Sequence, residues 1–373
     1  MSRVLSHAIV TVFLSGDVMS GRGIDQSLPH PSAPAIHEPY VRDARRYLQL
    51  AGQVHGAIPR PVDYGYVWGD ALELLTREAP DVRVVNLETS VTTSDDYWRG
   101  KGINYRMHPS NLPVLTVAAI DVAVLANNHL LDWGYGGLAE TLKTLRGAGI
   151  RTAGAGANID EAAAPAVVQA GEGRLLLFSC GVSTSGIPDS WCATGSNAGV
   201  NLLPDLSERT VERIAAQVRG VKRPGDIAVA SIHWGGNWGY GIARGERIFA
   251  HGLIDEAKID IVHGHSSHHV KGIEVYHGRP VFYGCGDLIN DYEGIGGFDE
   301  FRGDLSLLYL VRFDPGNGRL VAVRMVPMQM RRFRLNLASA ADARWLADTL
   351  TREGKVFGTR VERAPDGALV LCW

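Results

Sequence analysis

Residues 8–23 read AIVTVFLSGDVMSGRG, and this stretch shows the pattern that decides the fold. A short apolar run, 8–14, ends in Ser15, Gly16 and Asp17, which are residue types that favour turns. A run of this length that is rich in β-branched residues indicates a buried β-strand. Asp17 is therefore expected at the carboxyl end of a strand.

The same pattern recurs along the chain, with stretches of helical spacing between several of the runs. The apolar runs are 82–86, 122–126, 175–180, 227–232, 259–263 and 281–283, and the helical stretches are 138–148, 207–219 and 244–257. Alternation of strand and helix predicts an α/β fold, either a β-sandwich flanked by helices or a doubly wound sheet. In such folds ligands collect at the carboxyl ends of the strands.

Composition excludes several classes of protein. With 373 residues, of which 45% are hydrophobic and 21% charged, the chain is expected to be globular. Lys and Arg total 37 against 40 for Asp and Glu, and without a long basic run nucleic acid is not expected as a partner. No apolar stretch approaches the roughly 18 residues of a membrane span. The first apolar run lacks a cleavage site, so export is not expected either.

Cysteine usage and the remaining segments complete the expected organisation. The four cysteines lack Cys-x-x-Cys spacing, which disfavours a disulfide framework or a structural zinc site and favours the cytoplasm. We expect one main domain over residues 1–330, with a lid or substrate loop at 23–69. Residues 305–313 and 320–326 read as a hairpin and 341–353 as a helix. Residues 331–373 would then be an extension that packs on the same domain. Oligomeric state is not predicted by the sequence.

Five separate strand ends carry side chains that bind divalent metals or move protons. Each one alone is explained by a turn or a helix cap, since Asp and Asn favour both. Their joint occurrence instead indicates a functional site. The residues are Asp17, Glu88, Asn128 with His129, His233, and His265 with His268.

The motifs that contain these residues resemble, in order, those of the CapA-type poly-γ-glutamate capsule-synthesis family, a branch of the calcineurin-like metallophosphoesterases. They are SGDVMSGRG (15–23), VNLET (85–89), LANNHLLDWG (125–134), IHWG (232–235) and GHSSH (264–268). The resemblance implies a metallophosphatase-like β-sandwich flanked by helices, with a metal site at the strand ends. It implies one divalent cation, with calcium favoured and manganese or magnesium as alternatives, held by Asp17, Glu88, Asn128, His233 and His265.

Three departures from the family pattern bear on the chemistry. Met19 stands where a two-metal phosphoesterase has the histidine of Asp-x-His, and thioether sulfur is a poor ligand for a hard cation. Two serines separate His265 from His268. Asp287 stands where the capsule family usually shows Asn, and a carboxylate there can orient an imidazole. We therefore predict two acid–base pairs, His129 with Asp132 and His268 with Asp287.

Four further residues are candidate substrate contacts. Trp133, Trp234 and Trp238 lie in or beside the strand-end motifs, where a rigid apolar wall would suit a peptide. Arg22 follows Asp17 in a glycine-flanked turn and could bind a phosphate or carboxylate. The alternatives are buried core tryptophans and a solvated loop arginine.

Three enzymatic or biosynthetic functions follow from these features. The favoured one is an epimerase that inverts the C-terminal residue of a ribosomal, lasso-type precursor peptide, as soluble CapA-like enzymes do. The second is a metal-dependent hydrolase of phosphoesters or amides, and the third is a component of poly-γ-glutamate capsule synthesis. A non-catalytic binding module would leave the polar strand ends unexplained. The expected partner is a peptide, with no nucleic acid and no membrane.

Overall fold

The computed structural model describes residues 9–316 and 318–373. The strands are β1 (Val10–Val18), β2 (Val82–Leu87), β3 (Ser90–Val91), β4 (Arg106–Met107), β5 (Val122–Val124), β6 (Arg151–Ala153), β7 (Ala155–Gly156), β8 (Ala166–Ala170), β9 (Gly173–Gly181), β10 (Gly199–Val200), β11 (Ile227–His233), β12 (Ile261–His265), β13 (Ile273–Tyr276), β14 (Arg279–Phe282), β15 (Asp287–Ile289), β16 (Leu305–Asp314), β17 (Arg319–Arg331), β18 (Arg334–Leu337), β19 (Arg360–Arg363) and β20 (Leu369–Cys372). The α-helices are α1 (Arg22–Asp25), α2 (Arg45–His55), α3 (Asp70–Glu78), α4 (Pro113–Thr116), α5 (Gly134–Gly147), α6 (Ile159–Ala163), α7 (Glu208–Val221), α8 (Arg244–Asp255) and α9 (Ala340–Gly354).

Two large sheets pack face to face. The first has the order β19-β20-β17-β16-β1-β2-β5-β6, with β15 also pairing with β1 and β18 with β17. The second has the order β13-β14-β12-β11-β9-β8. Alternation along β1 sends Val12 and Leu14 into a core cluster that also holds Leu175 and Val229 of the second sheet. The core between the sheets is therefore built from the inner faces of both.

Helices cover the two outer faces. Phe13, on the opposite side of β1, shares a cluster with Leu48 of α2 and Leu138 of α5. The outer face of the second sheet packs against α7 and α8 through residues such as Ile214 and Phe249. The predicted β-sandwich flanked by helices is confirmed.

Parallel pairing brings the polar strand ends to one edge. Strands β1, β2 and β5 run parallel, as do β9, β11 and β12. The register sets Asp17 opposite both Asn86 and Asp287, and it sets His233 opposite His265. Backbone pairing alone thus places these side chains next to one another.

Several segments differ from the sequence-based expectation. Residues 23–69 carry most of α1 and all of α2, and buried Ile36, Tyr47 and Trp68 join the helical layer over the first sheet. Part of this segment is therefore packed structure, and its role as a lid or substrate loop stays a prediction. The predicted C-terminal hairpin and helix correspond to β16–β17 and α9, although Asn317 of its turn lies outside the described residues, as does Ala8 of the predicted first strand. Across the described ranges, no helix has the length and apolar character needed to cross a membrane.

Candidate active site

Two buried carboxyl groups, from Asp17 and Glu88, form the centre of the site. Asp17 accepts hydrogen bonds from Asn86 Nδ2 (2.7 Å) and the Ser266 backbone N–H (3.3 Å). Glu88 Oε2 is buried and has no hydrogen-bond partner among the described residues. Burial, with the nearby charge of Asp287, raises the pKa of Asp17 to about 7, and burial with the charge of Asp17 raises the pKa of Glu88 well above its usual value. Such a pair requires a proton or a cation between its oxygens.

Two imidazoles and an amide adjoin these carboxyl groups. His233 Nδ1 lies 2.8 Å from His265 Nδ1, and His233 Nε2 lies 3.0 Å from Asn128 Oδ1 and 3.9 Å from Glu88 Oε1. His265 Nδ1 lies 3.8 Å from Asp17 Oδ1. Burial lowers the pKa of both histidines well below the usual value, so both are neutral and have lone pairs to offer.

This donor set fits a divalent metal. Ligand atoms of Asp17, His233 and His265 lie within 4.8 Å of one another, and so do those of Asp17, His268 and Asp287. The unpartnered Glu88 Oε2 is an oxygen that a cation would satisfy. The structure thus brings the five residues expected to hold a metal into one cluster.

His129 and Asp132 form the first predicted pair. They lie in the turn that precedes α5, and His129 Nδ1 is 2.6 Å from Asp132 Oδ2. The same oxygen accepts the Tyr105 backbone N–H at 2.6 Å. His129 Nε2 is left facing Glu88 Oε1 at 3.7 Å. Burial, with the charge of Lys101, lowers the pKa of His129 to about 4, so this imidazole is neutral near pH 7.

His268 and Asp287 form the second predicted pair. His268 Nδ1 lies 2.9 Å from Asp287 Oδ1, and Asn290 Nδ2 donates to Asp287 Oδ2 at 3.0 Å. Burial alone would lower the pKa of His268, but the Asp287 carboxylate outweighs it and raises the pKa above the usual value. The two pairs therefore differ in character, because His129 favours the neutral form and His268 the protonated form.

Three of the four predicted substrate contacts are buried inside the protein, which corrects the expectation for them. Arg22 Nε donates to Asp291 Oδ2 (3.2 Å) and Nη1 to Glu38 Oε1 (2.9 Å), so its guanidinium is already paired. The indole N–H groups of Trp133 and Trp234 donate to backbone carbonyls at 3.1 and 3.0 Å, and both rings are 1% exposed. These three side chains are therefore part of the packed interior next to the site, and their polar groups are already hydrogen-bonded.

Trp238 remains at the rim of the site. Its ring is half-buried and stacks on exposed Phe298, with centroids 4.3 Å apart and an interplanar angle of 5°. Its centroid lies 5.4 Å from that of His268. An apolar platform thus stands next to the second acid–base pair.

Sequence reasoning assigned no role to four residues of the site. Lys101, Tyr105, Tyr292 and Asn86 all touch the groups described above. Asn86 precedes Glu88 in a strand-end motif and could have been found by the rule that selected Glu88. Lys101 lies in a loop between two glycines, away from any apolar run, and carries no such signal.

The chain is similar in sequence to bacterial proteins named for the synthesis of capsules or of polymers of glutamate or glutamine. The family model described as bacterial capsule synthesis protein PGA_cap matches residues 11–292, which include every candidate metal ligand and candidate acid–base residue named above. A Mycobacterium tuberculosis protein named probable polyglutamine synthesis accessory protein is 50% identical over 363 residues, covering 97% of this chain and 95% of that protein. The Bacillus subtilis PGA biosynthesis protein CapA is 28% identical, covering 57% and 54%. A solved phosphatase structure from Mycoplasma pneumoniae has a TM-score of 0.46 and 8% identity, covering 87% and 94%.

Proposed function

Because the chain belongs to the bacterial capsule synthesis protein family PGA_cap, in agreement with its CapA-type motifs, we propose that it is a metal-dependent enzyme that acts on an amide-linked chain containing glutamate or glutamine. The proposed reaction is inversion of an α-carbon by proton transfer between two histidine–aspartate pairs. The names of the relatives suggest the substrate class, and the residues of the site suggest the reaction.

One observation carries this proposal: the two pairs reach the central carboxyl groups separately. His129 approaches Glu88, whereas His268 and Asp287 approach Asp17. Inversion needs a base on one face of the carbon and an acid on the other. Hydrolysis needs no second histidine–aspartate pair, so the duplication favours inversion.

The chain's own residues account for both proton transfers. Neutral His129 takes the α-proton at Nε2, while Asp132 holds its Nδ1–H and stabilises the imidazolium that forms. The electron pair of the broken C–H bond moves into the adjacent carbonyl. Protonated His268, held through Nδ1 by Asp287, gives a proton from Nε2 to the opposite face. A divalent cation held by Asp17, Glu88, Asn128, His233 and His265 would supply positive charge against the charge that develops on the carbonyl oxygen.

The ligand types favour one divalent metal over the others. Two imidazoles beside two carboxylates and one amide form a softer set than the all-oxygen shell that calcium prefers. We therefore expect Mn²⁺ to bind more tightly than Ca²⁺ or Mg²⁺, in contrast to the preference for calcium drawn from the motifs.

The decisive experiment is incubation with metal in D₂O. Candidate substrates are a γ-linked glutamate oligomer, an α-linked glutamine oligomer and, for the lasso-type alternative, a peptide that ends in tryptophan. We expect a one-dalton mass gain per inverted residue without chain cleavage, because in D₂O His268 carries a deuteron from the solvent and gives it to the α-carbon. The His268→Asn variant should lose inversion, whereas His277→Asn, at an exposed histidine paired with Asp255, should not.

The alternative reading is a metal-dependent hydrolase, which the cluster of Glu88, Asn128 and His233 would also suit. Cleavage without deuterium at the α-carbon would establish hydrolysis and reject inversion. Absence of both labelling and cleavage with every substrate would reject the proposed activity.

A further inference from the structure

Lys101 places an ammonium group at the edge of the site. It lies in the loop between β3 and β4, flanked by Gly100 and Gly102, and its side chain is only 15% exposed. Nζ donates to Asp132 Oδ1 and lies 2.9 Å from His129 Nδ1.

The hydrogen-bond donors of Lys101 outnumber its acceptors. An ammonium group has three donors and no acceptor. His129 Nδ1 lies 2.6 Å from Asp132 Oδ2, a distance that requires a proton between the two atoms. Because Nδ1 donates that proton, it cannot also accept from Lys101. Asp132 is therefore the single acceptor that the described residues give this ammonium group.

A further neighbour of the ammonium also supplies no acceptor. Nζ lies over the face of the buried Trp191 ring, 5.4 Å from its centroid, and an indole has one N–H donor and no hydrogen-bond acceptor. Arg22 shows the contrast, because Asp291, Glu38 and Tyr47 satisfy its buried guanidinium. Donors without acceptors are costly where water is largely excluded, so the Lys101 ammonium indicates an acceptor that is supplied from outside the chain.

We propose that Lys101 binds a carboxylate of the substrate beside His129. This deepens the proposed function, on which the choice of a glutamate chain rests, and it makes Lys101 a specificity-determining residue. A carboxylate fits because it is the acceptor-rich group of such a chain, whereas an amide would present one weaker acceptor to the ammonium. Two groups of the substrate could supply this carboxylate: a glutamate side chain or main-chain carboxylate within the oligomer, or the carboxylate at its terminus.

Equilibrium binding tests this without turnover. Fluorescence polarisation with Mn²⁺ would compare three labelled oligomers: γ-linked tetraglutamate, the same oligomer with all carboxylates as carboxamides, and one with only the terminal carboxylate retained. We expect the fully carboxamide oligomer to bind about tenfold more weakly than tetraglutamate, the loss typical of one charge-assisted hydrogen bond. The third oligomer identifies which carboxylate is bound.

Matched variants assign that preference to Lys101. Lys101→Met should remove the preference, and Lys101→Arg should keep most of it. Arg99→Met removes the same charge from an exposed position of the same loop and should leave binding unchanged. Melting temperatures of all variants would show that they fold.

The outcomes separate this inference from the proposed reaction. A wild-type protein that does not prefer the carboxylate oligomer, or a folded Lys101→Met variant that keeps the preference, would overturn the inference even if deuterium exchange occurs. Loss of the preference in Lys101→Met without any deuterium exchange would support the carboxylate site and reject the reaction.

Discussion

Asp287 and Arg22 show which residue roles a sequence can reveal. Asp287 is identified by its departure from a family pattern, which adds a carboxylate to a pocket rich in histidine, and it lies beside His268 as expected. Arg22 was assigned to a substrate, yet its partner Asp291 lies 269 positions away along the chain. Lys101 was missed for the same reason, because what makes it a site residue is its contact with Asp132. Tertiary packing brings such partners together, and the local sequence around either residue does not reveal them.

At the same scale, the raised pKa of Asp17 makes metal binding depend on pH. Metal-free protein holds a proton on Asp17 below about pH 7, and a cation must displace that proton. A carboxyl whose pKa is raised by folding favours the folded state at low pH, and that contribution is lost as the pH rises towards 7. The increase in melting temperature on adding Mn²⁺ should therefore grow between pH 5.5 and 8. Thermal-shift titration of Mn²⁺, Ca²⁺ and Mg²⁺ across this range is the test, with Glu88→Gln as the variant expected to lose the shift. A shift that does not depend on pH would contradict the competition between the cation and the Asp17 proton, and no shift with any cation would contradict the metal site.

At the scale of elements, strand existence was predictable and strand ends were not. The run at 259–263 predicted a strand, but β12 spans Ile261–His265, because pairing with β11 continues to the register of His233 with His265. Residues 23–69 lack a clean period, so their helices were not predicted, although Tyr47 and Trp68 bury their rings there. Partner strands and neighbouring layers determine these boundaries, and single-sequence periodicity does not contain them.

The segments after β1 and β15 are joined by the ion pair of Arg22 with Asp291, and this pair should stabilise the fold. Arg22→Met would leave Asp291 and Glu38 buried without their cation, and breaking a buried pair typically costs about 3–5 kcal/mol. Denaturant unfolding should show that loss, and the double variant Arg22→Met with Asp291→Asn should recover part of it. If Arg22 instead bound substrate, Arg22→Met would unfold at the wild-type denaturant concentration and lose only substrate affinity.

At the scale of the whole molecule, the four layers follow from features that the sequence displays. Short apolar runs separated by helical stretches indicate two sheets with helices outside, and polar strand ends indicate the edge that carries the site. The sequence did not show how residues 331–373 are attached. In the structure β20 pairs with β17, and α9 sends Leu346 and Leu350 into the core between the sheets.

That attachment predicts that residues 1–338 cannot fold without the segment that follows them. Leu346, Leu350, Leu369 and Leu371 are at most 3% exposed, and burial of each contributes about 1.5–3 kcal/mol. Burial of four such side chains therefore contributes a free energy close to the entire free energy of unfolding of a typical domain, which is about 5–15 kcal/mol. A chain that ends at residue 338 should therefore lose its cooperative melting transition and become sensitive to protease. A control chain from which Trp373 alone is removed should melt as the full protein does, because that side chain is half-exposed. Circular dichroism melts and limited proteolysis of the three chains provide the measurement. A cooperative transition in the chain that ends at 338 would instead show residues 339–373 to be a separable appendage, because the core between the sheets would then close without them.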